Sequence, residues 1–102
     1  MIVEYIRYTV DEGRAQGFVD AYRASGDALL ASPHCLRFEL SRCEEEPTAF
    51  VVRIDWTSTR DHLEGFRGSA EFRTFFSHVR PYVDDIDEMR HYEVLEARER
   101  TS

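Results

Sequence analysis

Four histidines, two cysteines and a single tryptophan are the side chains of this 102-residue chain with the most chemistry to offer. The stretch Trp56 to Tyr82, WTSTRDHLEGFRGSAEFRTFFSHVRPY, holds the Trp, two of the histidines and a series of phenylalanines. Trp56 and Tyr22 have the size and flatness to line a pocket for an aromatic ligand. The competing reading is plain core, which a Trp at a strand end fills more often than not. His62 shares one face with Leu63 and Phe66 and is flanked by Asp61 and Glu64, so it is either a titrating group in an apolar cleft or a surface His among carboxylates. His78 stands just before a helix end, where the dipole favours a cation. His34 follows Pro33 in a turn and His91 alternates with charged neighbours; neither reads as functional. Arg53 and Asp55 share the less apolar face of one strand, where pairing with Arg37 and Glu39, across the hairpin or at a dimer interface, is the favoured structural role.

Cys35 and Cys43, if joined by one strand at about 3.3 Å per residue, stand roughly 26 Å apart, so free buried thiols are expected. No CxxC and no spaced Cys/His set is present, which argues against a metal site, and no Gly-rich phosphate loop or other cofactor motif is visible. The net charge of −7 and the lack of a basic cluster argue against nucleic acid and against an anionic membrane surface. All 13 basic residues are Arg, a usage that carries no functional weight. No apolar run approaches the roughly 20 residues of a membrane span, and Met1 leads straight into a strand without a signal peptide, so a cytoplasmic location is expected.

The elements that must position these side chains follow from periodicity. IVEYIRYTV reads as a central strand, with Ile2, Ile6, Tyr8 and Val10 on one face and Val3 and Tyr5 on the other. Asp11 is the expected N-cap of a helix carrying Ala15, Phe18, Tyr22 and Leu29 as far as Ala31, stopped by Ser32-Pro33. Gly13, Gly17 and Gly26 within it point to close packing on the sheet. From Cys35 to Cys43, Leu36, Phe38 and Leu40 alternate with Arg37, Glu39 and Ser41. An acidic turn, Glu44-Glu45-Glu46-Pro47, then leads into Phe50, Val52, Ile54 and Trp56, which makes a hairpin. Ser58 and Asp61 have the spacing of a capping box, Gly65 and Gly68 break the helix, and Ser69 caps a second piece with Phe72, Phe75, Phe76 and Val79 on its apolar face. Pro81 ends it. A last strand from Asp84 to Leu95 has Ile86, Met89 and Tyr92 fitting no single face.

The order β, α, β, β, α, β with right-handed crossovers predicts an α+β, ferredoxin-like βαββαβ sandwich: a four-stranded antiparallel sheet under two helices, the second one broken. Residues 1–96 form a single domain and 97–102 a charged tail. Val3, Tyr5, Val51 and Met89 opposite the helix-facing set leave an apolar patch that a second copy would cover.

From IVEYIRYTV through FVVRIDW to SAEFRTFFSHVRPYV, and above all in the Trp that ends the third strand, the polar turn, and the Ser-x-x-Phe segment that ends near a Pro, the chain resembles the antibiotic biosynthesis monooxygenase family of dimeric α+β barrel proteins. The resemblance implies a homodimer in which each subunit keeps an apolar pocket between sheet and helices. Catalytic members oxygenate electron-rich aromatics such as anthrones and quinols with O2 and without metal or flavin. A pocket base removes a phenolic proton, and the anion passes an electron to O2. Members often carry a His in the helix before Ser-x-x-Phe; alignment on Ser69 and Phe72 puts Phe66 there, with His62 one turn earlier on the same face as a substitute base. The implied site is then His62 as catalytic residue and Tyr22, Trp56, Phe66, Phe72 and Phe76 as substrate pocket, with no cofactor. The loss of His at Phe66 sustains an alternative, a non-catalytic ligand-binding or accessory dimer working beside a haem protein. Haem-degrading relatives use an Asn and a His about seven residues after the Ser; this chain has no Asn, and Phe76 stands at that position.

Overall fold

The computed structural model describes residues 1–101, and it follows the expected order. The elements are β1 (Ile2–Thr9), α1 (Glu12–Ala31), β2 (Cys35–Arg42), β3 (Ala49–Trp56), a π-helical turn (Asp61–Phe66), α2 (Ala70–Val79), a 3-10 turn (Arg80–Asp85) and β4 (Ile86–Glu93). The four strands form one antiparallel sheet in the order β2-β3-β1-β4, and the helices cover one face of it, which is the α+β ferredoxin-like arrangement. The charged tail ends at Ser102, which lies outside the described residues.

Register decides which side chains reach the helices. Glu4, Ile6 and Tyr8 of β1 lie opposite Ile54, Val52 and Phe50 of β3, so these rows share the inner face. On the other side Glu4 meets His91 and Ile6 meets Met89, after which the pairing shifts so that Tyr8 meets Ile86. That irregularity absorbs Asp87 and brings Ile86 and Met89, three residues apart, onto the same face. Met89, expected on the outer face, is therefore an inner-face residue at the cavity. A second irregularity separates Cys35 from Arg37 and leaves Leu36 unpaired and 56 % exposed, so only Phe38 and Leu40 of its predicted row turn toward the helices.

The helix α1 buries Phe18, Tyr22 and Leu29, and at Gly26 an added Cβ would stand 2.8 Å from the ring of Phe38. The small residue is what lets α1 approach β2. Asp11 occupies the N-cap position, yet its side chain makes no capping bond; its carbonyl accepts from Arg14 N–H at 2.8 Å instead. Around Phe18, rings of Tyr8, Phe50, Tyr22 and Tyr82 gather at centroid distances of 4.7, 4.8, 5.1 and 5.3 Å. Both cysteines are free, Cys35 buried and Cys43 only half-buried.

Candidate functional site

The segment after β3 is wound in an unusual way. Ser58 Oγ accepts the Asp61 N–H at 2.9 Å, as a capping box requires, but the Asp61 carboxylate takes the Thr57 hydroxyl at 2.6 Å rather than a backbone donor. The Arg67 N–H reaches back five residues to the carbonyl of His62 at 3.1 Å, which is the π-helical bond. Widening the turn points His62 and Phe66 together at the sheet, while Leu63, expected on their face, is 43 % exposed. At Gly65 an added Cβ would come within 2.6 Å of the His34 ring, so only Gly lets that ring lie on the turn. Ser69 then starts α2 as read from the sequence, accepting the Phe72 N–H at 3.2 Å.

His62 stacks on Trp56, with ring centroids 4.2 Å apart and planes 12° from parallel. Its Nδ1 lies 2.7 Å from Nε2 of His91, and its Nε2 lies 3.7 Å from Oε1 of Glu4. The same Glu4 oxygen accepts the indole N–H of Trp56 at 3.1 Å. The other, Oε2, has no hydrogen-bond partner although Glu4 is only 1 % exposed. Burial of this kind disfavours charge on either partner. It pushes Glu4 up to about 7, against the lowering effects of the Trp56 bond and the Arg67 charge. It pushes His62 down to about 3, helped by Arg67 and His91. His91 is lowered by burial and then by Arg67. An uncharged carboxyl beside an uncharged imidazole is the state that a dry site favours over an ion pair.

Glu4, Trp56, His62 and Arg67 line a cavity of about 260 Å³ between sheet and helices, and His91 stands behind His62 outside that lining. All six predicted site residues, His62, Tyr22, Trp56, Phe66, Phe72 and Phe76, border it, together with Glu4, Arg67 and Met89. The volume sits just under the roughly 300–1,000 Å³ usual for small-molecule sites, enough for a few fused rings at most. His91, set aside in the sequence, belongs to the cluster, because the β1–β4 register places it directly across from Glu4. Glu4 was missed although a signal existed: it is the one charged residue in the row of Ile2, Ile6 and Tyr8 that faces the core. His34 lies instead beside Asp61, 4.0 Å away, and His78 is half-buried on α2 outside the cavity lining. On the opposite sheet face Arg53 and Asp55 pair with each other at 3.3 Å and Arg37 with Glu39 at 2.9 Å, along strands rather than across them.

Glu4, His62 and His91 each offer a ligand atom within 4.8 Å of the others, a donor set of metal-binding type that no linear spacing announced. The geometry fits a hydrogen-bonded chain better. Ligands around a zinc ion at about 2.0–2.1 Å stand roughly 3.4 Å apart, whereas the two imidazoles meet at the 2.7 Å of a hydrogen bond. Arg67 adds a positive charge close enough to depress both imidazoles, and it would oppose a cation as it opposes a proton.

Residues 1–78 match the family described as antibiotic biosynthesis monooxygenase. The Bacillus subtilis protein YczJ, itself uncharacterized, is 27 % identical over 93 residues, covering 91 % of this chain and 98 % of that one. A Bordetella bronchiseptica structure assigned to the same family superimposes with a TM-score of 0.77 at 21 % identity, over 93 % of this chain and 97 % of that one. SnoaB of Streptomyces nogalater, described as a cofactor-independent oxygenase, has a TM-score of 0.77 at 15 % identity over 94 % of both chains. At these identities the structural likenesses speak for the fold. No helix among the described residues is long and apolar enough to cross a membrane.

Proposed function

The chain belongs to the antibiotic biosynthesis monooxygenase family, and on that premise we propose that it oxygenates a quinol- or anthrone-like aromatic with O2, using no flavin, haem or metal. The observation that carries this reading is the cavity itself: apolar and aromatic walls around a buried carboxyl–imidazole pair, Glu4 and His62. Such a pair can take up a phenolic proton out of contact with bulk water. The anion left behind is electron-rich enough to reduce O2 by one electron. Recombination forms a C–O bond, and loss of water leaves the carbonyl product, so that anthrone plus O2 gives anthraquinone plus H2O. The protein's part is to orient the rings, exclude water and hold the proton. SnoaB, of the same fold, supports the absence of a cofactor by its description alone.

Oxygen uptake by metal-free protein with a panel of anthrones and hydroquinones tests the reading. Saturable uptake is expected; tight binding of the same compounds without uptake points to the accessory, non-catalytic dimer that Phe66 at the family's His position suggests. We also propose a homodimer, supported by the outward rings of Tyr5 and Tyr92, in edge contact at 5.5 Å, and by Val51, whose β1 partner Arg7 lies two residues from Tyr5 on the same sheet face. Light scattering at micromolar concentration is expected to give twice the 12.0 kDa chain mass, and the monomer mass alone would dismiss it.

A further inference from the structure

We propose that Glu4, rather than His62, receives the substrate's proton, and that His62 and His91 form the path by which that proton leaves the cavity. The inference rests on the oxygenase reading for its substrate class and on hydrogen-bond geometry for everything else. Both nitrogens of His62 are already directed at protein groups, Nδ1 at His91 and Nε2 at Glu4, and one ring face is covered by Trp56. Nδ1 is hydrogen-bonded, and Nε2 faces the Glu4 carboxyl at 3.7 Å, too far for a hydrogen bond. On Glu4, Trp56 satisfies Oε1, and Oε2 is left unpartnered on a side chain that lines the cavity. An orphaned buried carboxyl oxygen is costly to the fold, and apolar side chains fill the neighbouring positions of the same strand face without that penalty. A phenolic hydroxyl in the cavity is the partner this oxygen lacks.

The step balances within the complex. The phenolic O–H bond breaks, a new O–H bond forms on Glu4, and the electron pair stays on the phenolate oxygen. With its affinity raised to about 7, Glu4 can both accept and return a proton near neutral pH, whereas His62 at about 3 is too weak a base to keep one. His62 can still pass a proton on, taking it at Nε2 as Nδ1 gives one to His91, once rotation of the Glu4 carboxyl carries the protonated oxygen to the side of Oε1, which stands 3.7 Å from Nε2, and the gap closes by roughly 0.7 Å. His91 is half-exposed and delivers it to solvent. The groups facing Glu4 from the surrounding elements are Trp56 of β3, His62 and Arg67 of the π turn and its end, His91 of β4, Tyr8 of its own strand and Tyr22 of α1. Of these Arg67 alone is cationic, and it favours the new anion.

Alizarin, a hydroxyanthraquinone whose colour reports its ionisation, serves as the probe, with infrared absorption of the protonated carboxyl as a second readout. In the wild-type protein, binding is expected to produce the phenolate spectrum and a carboxylic-acid band together. Glu4→Gln, a nearly isosteric change, should bind the dye un-ionised with no band, and His62→Gln should retain both signals while proton exchange with solvent slows. A phenolate spectrum that survives in Glu4→Gln, or vanishes in His62→Gln without a carboxyl band, overturns the assignment. If the wild-type protein does not bind alizarin, the aromatic-substrate reading fails on its own. Infrared titration of the free protein then decides Glu4: a band that titrates near neutral pH and is missing in Glu4→Gln supports the assignment, and its absence overturns it.

Discussion

Two ends of one sheet face bury polar groups among aromatic rings and come out differently. At the end formed by Tyr8, Phe18, Tyr22 and Phe50 the rings close on one another, with only Tyr8 and Tyr22 reaching the cavity wall, and the two phenolic hydroxyls bond each other at 2.6 Å. Burial raises both phenols, Tyr8 to about 12, so the pair stays neutral and inert at ordinary pH. At the end formed by Glu4, Trp56 and His62 the rings stand around a cavity and one carboxyl oxygen is left over. Aromatic content does not separate core from site in this protein. On this sheet face the hydrogen-bond account does: the paired phenols hold the fold, and the unpartnered Glu4 oxygen on the cavity wall is left for a ligand, whereas the unpartnered Arg53 Nε and Asp55 Oδ1 of the opposite face stand 3.3 Å from each other as an ion pair.

The comparison breaks most decisively at Glu4. Glu4→Gln is expected to lower turnover in oxygen uptake by a factor on the order of 10²–10⁴, the usual worth of a positioned general base, with little change in KM. Retention of turnover would put the proton acceptor elsewhere. At the other end, Phe18→Ala should cost about 3–5 kcal/mol in urea unfolding, as a fully buried ring does, while the molecules that remain folded bind aromatic ligands normally. Loss of binding beyond the unfolded fraction would mean the two ends are not separable.

The pH dependence of stability sharpens the contrast, since the titrating groups lie at one end only. Glu4 has a raised affinity when folded, so its contribution is fully present below about 4.5 and is lost as pH rises through about 7, a change on the order of 3 kcal/mol. His62 has a depressed one, so its contribution is present above 6.5 and is lost as pH falls toward about 3. Between roughly 4.5 and 6.5 the two oppose each other. Urea midpoints should therefore rise with pH up to about 6.5 in Glu4→Gln and fall through neutral pH in His62→Gln; identical profiles in both variants would refute the picture. The smallest effect is expected from Tyr22→Phe, which orphans the Tyr8 hydroxyl and should cost about 1–3 kcal/mol with no shift in any pH profile near neutrality.

Much of this was legible in the residues themselves. Alternation of period two marked the strands, the spacing of Phe72, Phe75, Phe76 and Val79 marked α2, and Ser69 announced its start, because backbone geometry and capping act within a few residues. The aromatic walls and His62 were legible for the same local reason. Three placements were not. Leu36 leaves its row at an irregularity that periodicity cannot see, Leu63 turns outward because the turn is π-helical, and Met89 joins the inner face because β4 slips by one residue against β1. The site depends on contacts still more distant: Trp56 reaches Glu4 across 52 residues and His91 reaches His62 across 29. Sequence period determines which face a side chain takes on its own strand. Which side chain stands opposite it, and whether a buried oxygen finds a partner there, was decided only when register and packing brought β1, β4 and the π turn together.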